Sequence, residues 1–401
     1  MLEKLFAIHN STVKNTPRAF KRYLYGRMDW KSDAICLTGA RGVGKTTMLL
    51  QYYHEHYDDV EKCLYISADN VEATATGLFN IASEYFNFGG KALVVDEIHK
   101  YQNWQVELKN IVDTFKGKKL LVSGSSSLNL KKGKADLSRR FVYYDLRGLS
   151  FREYLALKEG KTFPALKLDD ILHGHAKHAQ QISGEITVLK DFRKYLSGGY
   201  YPFFIESETA YPQKVLNVIE KVLYEDVAVI GNVKPVNIVA MKKILWLIAG
   251  TAAFAPNIDK LSRELGISKE YVYHYLEYLE QAGIIVALYS EGKGYKLLRK
   301  PAKLFLENTN LLAAINGSLK PDDEEGAVRE TFFMNQVASC ERVTAAETGD
   351  FTVNNDMVFE VGGKNKNAEQ IKGIKNAYLA LDKIEIGAGN KIPLYLFGFL
   401  Y

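Results

Sequence analysis

The sequence predicts an α/β protein whose N-terminal part is a parallel sheet flanked by helices. Between residues 33 and 150, short apolar runs alternate with amphipathic stretches, a pattern typical of βαβ units. A glycine-rich loop follows the first run and an acidic pair follows the third, at the strand ends where parallel sheets bind ligands. A helix is expected beforehand, at Arg18–Tyr25. The predicted strands are Ala34–Thr38, Cys63–Ser67, Ala92–Val95, Lys119–Ser123 and Phe141–Leu146.

Composition indicates a globular protein of several domains. The chain has 401 residues, of which 47% are hydrophobic and 25% charged. Its net charge of +5 permits a nucleic-acid partner without requiring one. Cys36, Cys63 and Cys340 are far apart, which indicates a reducing compartment rather than a disulfide framework or a zinc site. The apolar stretch Ile244–Ala255 is too short to cross a membrane, and Met1–Leu5 lacks the start of a signal peptide, so we expect a cytoplasmic protein with no membrane partner.

A phosphate-binding loop is predicted after the first strand. Gly39-Ala40-Arg41-Gly42-Val43-Gly44-Lys45-Thr46 matches the pattern G-x-x-x-x-G-K-[ST], and a helix is expected to follow. Glycines let successive backbone N–H groups face phosphate oxygens, and a helix N-terminus favours negative charge. Lys45 is expected to reach the terminal phosphates of ATP, and Thr46 to place its hydroxyl on Mg²⁺. The expected nucleotide-binding residues are Gly39, Arg41, Gly42, Val43, Gly44, Lys45, Thr46 and Thr47.

An acidic pair ends the third apolar run, Leu93-Val94-Val95-Asp96-Glu97. Asp96 is expected to hold Mg²⁺ together with Thr46, and Glu97 to act as the base that polarises the attacking water. Taken alone, the run would be a buried strand that meets solvent at an acidic turn. Combined with the phosphate loop, it predicts an ATPase site in which Lys45 and Glu97 are catalytic.

Two further segments leave alternatives open. The run Leu120–Ser127 ends in hydroxyl side chains, among which Ser125 is a third candidate catalytic residue that could contact the γ-phosphate or the attacking water. It could equally belong to a serine-rich turn. Arg139 or Arg140 could act as an arginine finger towards a neighbouring subunit, or both could belong to a solvated basic surface.

Together these motifs resemble a known family. Asp96–Lys100 with Trp104, Ser123–Ser127 and Leu146–Tyr154 look like the prokaryotic AAA-type ATPases that have an AAA_14 core and a DUF4143 C-terminal region. Gly198–Pro202 resembles the glycine-glycine-aromatic-proline signature in the second part of that family. The resemblance covers most of the chain and implies an AAA-type fold that binds ATP. It says little about cellular role.

A winged helix is predicted within residues 241–318. Leu261–Ser268 and Lys269–Gly283 read as two helices joined by a tight turn at Gly266, followed by a hairpin of Ile284–Tyr289 and Tyr295–Leu298. The second helix carries no arginine for guanine contacts, so DNA binding and a protein–protein role both stay open. Its candidate contact residues are Lys269, Tyr271, His274 and Tyr278, interspersed with Glu270 and Glu277, and the candidate phosphate contacts in and after the hairpin are Lys293, Lys296, Arg299, Lys300 and Lys303.

The last part of the chain predicts a small α/β domain. A helix containing Glu330 precedes a hairpin, and a three-residue turn at 354–356 would place Asp350 opposite Glu360, where the two could share a divalent ion. This layout resembles the PD-(D/E)xK nucleases, whose second motif reads E-x-K. Here Gly362 stands in place of the lysine, and Lys364 could substitute for it. A nuclease and a degenerate nuclease-like binding domain both stay open. The apolar segment Leu394–Tyr401 is expected to be a buried strand.

The sequence therefore predicts four domains. They are an ATPase domain (1–155), a helical connector (156–240), a winged helix (241–318) and a nuclease-like α/β domain (319–401). The expected function is a nucleotide-driven switch that hydrolyses ATP and controls engagement of DNA, of a protein partner or of a second copy of the chain. The alternative is an ATP-coupled nuclease that uses Asp350 and Glu360.

Overall fold

A computed structural model describes residues 2–124, 137–227, 235–251, 254–291, 300–319 and 325–401. The chain divides into two compact units, Met1–Gly148 and Leu149–Tyr401. The first unit ends inside the range predicted for the ATPase domain. The finer division of the second unit into three domains stays a prediction.

The helices of the first unit precede its sheet or connect successive strands. They are α1 (Leu2–Val13), α2 (Lys45–His56), α3 (Val71–Thr76), α4 (Leu78–Asn87) and α5 (Trp104–Thr114), with 3₁₀ turns at Tyr23–Arg27 and Ile98–Lys100. The helix predicted at Arg18–Tyr25 is wrong, because the backbone is extended at Arg22 and only then enters the 3₁₀ turn. That extended residue directs a buried guanidinium into the unit.

The strands of the first unit form one parallel sheet, and their predicted positions are confirmed. They are β1 (Ala34–Thr38), β2 (Cys63–Ser67), β3 (Ala92–Asp96), β4 (Lys119–Gly124) and β5 (Val142–Asp145). Their order is β2-β3-β4-β1-β5, which confirms the α/β fold class. Every residue of β1 and β3 is buried, which explains why these strands read as continuous apolar runs. Because β4 lies between β1 and β3, the carboxyl ends of these three strands meet.

The second unit begins with a run of helices. They are α6 (Phe151–Glu159), α7 (Leu168–Ser183), α8 (Val188–Gly198), α9 (Tyr211–Lys221), α10 (Pro235–Ala249), α11 (Ile258–Leu265), α12 (Lys269–Gln281), α13 (Thr309–Leu319) and α14 (Glu325–Val337). A 3₁₀ turn occupies Pro202–Ile205, and a π-helical turn at Val222–Val227 continues α9.

Two sheets complete the second unit. An antiparallel pair consists of β6 (Ile285–Leu288) and β7 (Lys303–Leu306). The other sheet has the order β12-β11-β10-β9-β8 and contains β8 (Val343–Ala345), β9 (Phe351–Val353), β10 (Met357–Gly362), β11 (Ala377–Leu381) and β12 (Lys391–Pro393). Strands β8 to β10 run antiparallel, whereas β11 and β12 run parallel to β10.

The predicted strand at Leu394–Tyr401 is wrong, although its predicted burial is confirmed. Residues Leu394–Phe399 form a 3₁₀ segment, and all of them are buried. Consecutive side chains on a strand alternate between two faces. The 3₁₀ segment instead points successive apolar side chains around its axis into the core.

The segment Gly198–Pro202 lies in a buried polar network. The hydroxyl of Tyr200 donates to Glu307 (2.7 Å), and the side chain of Asn310 accepts from the backbone N–H of Tyr200 (2.8 Å) and donates to the carbonyl of Tyr195 (3.0 Å). A Cβ at Gly199 would lie 2.6 Å from the ring of Tyr195, so only glycine fits there. This part of the family signature therefore holds together the end of α8 and the segment between β7 and α13.

In the described parts of the chain, no helix has the length and apolar character that crossing a membrane requires.

Candidate active site

The predicted phosphate loop joins β1 to α2. Gly39, Gly42 and Gly44 all have positive φ (147°, 85° and 98°), which glycine adopts without strain. A Cβ at Gly39 would lie 2.3 Å from the carbonyl oxygen of Leu146, so the loop also needs glycine there for space. Val43 is buried, while Arg41, Thr46 and Thr47 are half-buried around the loop. Helix α2 begins at Lys45, which directs its N-terminus at the loop.

The ammonium group of Lys45 lies over this loop. It donates to the carbonyl oxygens of Gly39 (2.9 Å) and Ala40 (2.8 Å), and the residue is 5% exposed. A buried cation beside backbone N–H groups at a helix N-terminus is an arrangement that binds phosphate. The position of Lys45 therefore fits its predicted role.

Asp96, at the end of β3, is the centre of a hydrogen-bond cluster. Its Oδ2 accepts from the Thr46 hydroxyl (2.6 Å) and the Tyr65 hydroxyl (3.0 Å), and its Oδ1 accepts from the hydroxyl of Ser123. Burial raises the pKa of Tyr65, so that hydroxyl stays protonated and donates. Thr46 and Asp96 together offer the oxygen ligands that Mg²⁺ prefers, so these residues fit the predicted metal.

Glu97 follows directly and has an unusual backbone. Its φ is 53°, in the left-handed region that non-glycine residues rarely adopt, and such strain occurs preferentially at functional sites. Its Oε2 lies 3.5 Å from Nζ of Lys100 and 3.7 Å from Nε2 of His99. Lys100 also pairs with Asp69 at 2.6 Å. The predicted base is thus held by a network that the sequence did not reveal.

Sequence reasoning proposed Ser125 as a contact for the γ-phosphate or the water. Ser125 lies outside the described residues, so that role stays a prediction. Ser123, two residues earlier on β4, contacts Asp96 instead. The contact could have been found from strand order, because β4 neighbours β3 in the sheet, but the sequence does not give that order. Tyr65 was missed for the same reason, since its ring comes from β2.

The two candidate arginine fingers differ in their surroundings. Arg140 donates to both carboxylate oxygens of Asp113 at 2.8 Å, so it is engaged within its own unit. Arg139 is exposed. Of the two, only Arg139 therefore stays a candidate for reaching a neighbouring subunit.

Arg22 is a further residue that the sequence did not single out. It is 6% exposed, and its guanidinium donates to the carbonyl oxygen of Val43 in the phosphate loop (2.5 Å). It also donates to the carbonyls of Arg147 (2.7 Å) and Gly148 (2.8 Å), the last residues of the first unit. One side chain therefore joins the phosphate loop to the segment that leads into the second unit.

The second unit contains the predicted carboxylates of the nuclease-like domain. The three-residue turn is confirmed, and the register continues to place Asp350 opposite Glu360. Lys303 lies between Asp350 (3.1 Å) and Glu330 (3.4 Å), so its ammonium neutralises carboxylates instead of facing phosphates as predicted. Burial, with Asp350 nearby, raises the pKa of Glu330 to about 7. Among the described residues, no group of three or more His, Cys, Asp or Glu side chains is arranged to hold a metal ion.

The predicted substitute lysine is wrong. Strand β10 ends at Gly362 and the chain then turns, so Lys364 does not continue the strand. Lys366 reaches back and places Nζ 2.5 Å from Oε1 of Glu360. A Cβ at Gly362 would lie 2.7 Å from Cβ of Lys366. The glycine that breaks the E-x-K pattern is therefore what makes room for Lys366.

The helix–turn–helix of the second unit is also confirmed. Gly266 has φ of 66° at the turn after α11, and the Ser268 hydroxyl accepts from the N–H of Tyr271 at the start of α12. The predicted second hairpin strand, Tyr295–Leu298, lies outside the described residues, as do Lys293, Lys296 and Arg299. The partner of β6 in the structure is β7, at 303–306. The winged-helix assignment stays a prediction.

Two family profiles match separate parts of the chain. Residues 31–155 match the AAA domain family AAA_14, as the motifs implied. Residues 189–322 match DUF8612, a domain of unknown function, and this corrects the expected DUF4143 region. The matched segment includes Gly198–Pro202, α12 and the β6–β7 pair.

Two uncharacterized proteins of Methanocaldococcus jannaschii are similar in sequence. MJ1637 is 28% identical over 287 residues, which cover 68% of this chain and 60% of that protein. MJ1544 is 26% identical over 267 residues, which cover 62% of this chain and 55% of that protein. The chain thus matches little more than half the length of these relatives.

Solved structures with a similar arrangement include two archaeal proteins. The Walker-type ATPase PABY2304 of Pyrococcus abyssi has a TM-score of 0.43 at 11% identity, over 75% of this chain and 97% of that one. The Orc1 protein of Aeropyrum pernix, solved in complex with DNA, has a TM-score of 0.33 at 14% identity, over 74% and 89%. These TM-scores are too low to support conclusions about function.

Proposed function

We propose that the AAA-type P-loop ATPase domain formed by residues 31–155 hydrolyses ATP with Mg²⁺, and that the chain works as a nucleotide-driven switch. In this proposal the nucleotide state of the first unit controls how the second unit engages DNA, a protein partner or another copy of the chain. We place this activity in the cytoplasm.

The side chains around the phosphate loop support hydrolysis. Lys45 and the backbone N–H groups of residues 42–46 stabilise the charge on the terminal phosphates. Thr46 and Asp96 would hold Mg²⁺, which neutralises phosphate charge when bound. Glu97 accepts a proton from the attacking water, whose oxygen bonds to the γ-phosphorus as the bond to the β–γ bridging oxygen breaks. The products are ADP and phosphate.

The observation that supports a switch is the contact between the phosphate loop and the end of the first unit. The carbonyl of Leu146 closes on Gly39, and the N–H of Leu146 donates to the carbonyl of Thr38 (2.8 Å). Arg22 joins Val43 to Arg147 and Gly148. A shift of the loop on binding phosphate would therefore be felt where the chain enters the second unit at Leu149.

Two measurements test the proposal. Steady-state ATP hydrolysis with and without duplex DNA, with Lys45→Ala as control, tests the enzyme and its partner. Hydrolysis that does not require Lys45 would contradict it. For the switch, we expect ATP to change the rate of limited proteolysis after residue 148 in the parent protein but not in Arg22→Gln, while the exposed control Arg18→Gln behaves like the parent. Equal responses in all three proteins would refute the coupling.

A second candidate function is ATP-coupled cleavage of nucleic acid. It is favoured by the register that sets Asp350 opposite Glu360, with Lys366 beside them. It is opposed by Lys303, whose ammonium occupies the space between Asp350 and Glu330 where a cation would be needed. Magnesium-dependent plasmid nicking by the parent, lost in Asp350→Ala, would support this function. The absence of nicking would leave the switch.

A further inference from the structure

A groove runs between α12 and β6 in the second unit. Its volume is about 870 Å³. Its walls include Tyr273, His274 and Glu277 from α12, and Tyr289 and Pro301 from the strands and their flanks. This is the helix face that a winged helix presents to a DNA groove.

The charge of the groove is unsuited to DNA. Glu270 has 84% of its side chain exposed, and Glu277 is also exposed on the same helix. Glu280 lines the groove floor, where its Oε1 accepts from the N–H of Ala287 (3.3 Å). The lysine at the groove, Lys269, is paired with Asp259 of α11. Among the described lining residues, acid therefore exceeds base, and a phosphate backbone would be repelled.

Aromatic side chains lie among these carboxylates. Tyr273 is 37% exposed and Tyr289 is 36% exposed, and both line the groove. The ring of His274 stacks with Tyr278 one turn further along α12. Carboxylates next to exposed aromatic faces suit lysine and arginine side chains, whose charged ends pair with the acids while their stems and guanidinium planes pack on the rings.

We propose that this groove binds a polypeptide segment rich in lysine or arginine, rather than nucleic acid. The inference rests on the proposed function, since it names the partner class that the switch engages. Tyr273 and Glu277 contribute the main contacts, because both are exposed on the same wall of the groove. Binding is electrostatic in part and weakens as salt is added.

Fluorescence anisotropy with the full chain tests the proposal. The probes are a labelled peptide of alternating lysine and leucine, the same peptide with glutamate for lysine, and a labelled DNA duplex. We expect the lysine peptide to bind and the other two to bind at least about tenfold more weakly. Glu277→Lys should weaken the lysine peptide by about tenfold, whereas Glu264→Lys, an equal change of charge on exposed α11, should leave it unchanged.

Tyr273→Ala gives a second test that leaves the charge unchanged, and it should also weaken the lysine peptide. Equal affinity for the two peptides, or equal behaviour of Glu277→Lys and Glu264→Lys, would overturn the proposal. So would a duplex that binds more tightly than the peptide and is released by Tyr273→Ala. Because binding is measured without nucleotide, lost peptide binding with intact turnover refutes the groove alone. Intact binding without Lys45-dependent turnover refutes the ATPase proposal alone.

Discussion

The hydroxyl of Thr46 donates a 2.6 Å hydrogen bond to Oδ2 of Asp96, although the two residues are 50 positions apart in the sequence. The bond joins the first turn of α2 to the carboxyl end of β3. The two side chains that would hold Mg²⁺ are therefore already adjacent, and little rearrangement is needed to bring them to one ion. Such preorganisation lowers the cost of binding.

Glu97→Gln should leave nucleotide binding intact and remove turnover. Glutamine keeps the shape of the side chain but cannot accept a proton, so we expect the hydrolysis rate to fall by about 10²-fold or more. Single-turnover hydrolysis and binding of a fluorescent ATP analogue measure the two effects separately. Lys45→Ala is the contrasting variant and should abolish binding. A parental hydrolysis rate in Glu97→Gln would show that another group is the base.

Tyr65→Phe should raise the Mg²⁺ concentration needed for half-maximal activity. The variant removes one donor to Asp96 while keeping the ring, so the carboxylate is less well oriented for a metal. Tyr85→Phe is the matched control, since it also removes a buried tyrosine hydrogen bond, to the carbonyl of Val60 at 2.8 Å, in the same unit. Both should lose about 1 kcal/mol of unfolding free energy. If their magnesium titrations coincide, Tyr65 has no role beyond stability.

The first unit should lose stability as the pH falls below about 6.5 because of His9. Burial, with His54 nearby, lowers the pKa of His9 to about 4, so the unfolded chain binds a proton there before the folded one does. Unfolding free energy should therefore decrease with falling pH across this window, by at most about 1.4 kcal/mol per pH unit.

The matched variant for this effect is His9→Asn. Its side-chain oxygen can still accept the hydrogen bond that Nδ1 of His9 receives from the N–H of Tyr65. Asparagine does not titrate, so the pH slope of the thermal midpoint should be shallower in the variant. Identical slopes would assign the acid sensitivity to other groups.

Asn310→Ala should destabilise the second unit by about 3 kcal/mol or more. The side chain accepts from the N–H of Tyr200 and donates to the carbonyls of Tyr195 and Leu196, so its removal leaves several buried polar groups without this partner. Asn217→Ala on exposed α9 is the control and should change unfolding free energy by less than about 0.5 kcal/mol. Chemical denaturation measures both, and equal midpoints would show that the network is replaceable.

Local patterns predicted the strands, the phosphate loop and the hairpin of Asp350 and Glu360, because each depends on residues close in sequence. The turn length alone set the pairing of those two carboxylates. Contacts that depend on strand order or on folding back were missed. Ser123 meets Asp96 only because β4 lies beside β3, and Lys303 meets Asp350 across 47 residues.

The Arg22 and Lys364 predictions failed for related reasons. Helical propensity around Arg22 lost to the buried hydrogen bonds that its side chain makes with distant carbonyls. The face assigned to Lys364 assumed that β10 continues, but the strand stops at Gly362. Neither outcome follows from residues within one turn of the position concerned.

The close approach of Gly362 to Lys366 makes the two positions interdependent. A side chain at 362 and the present path of Lys366 cannot coexist, since their Cβ atoms would lie 2.7 Å apart. Homologous chains should therefore show compensating substitutions here. Where the position of Gly362 carries a lysine, the position of Lys366 should carry a residue that no longer reaches Glu360. Loss of one lysine and recruitment of the other would then be a single evolutionary exchange rather than two independent events.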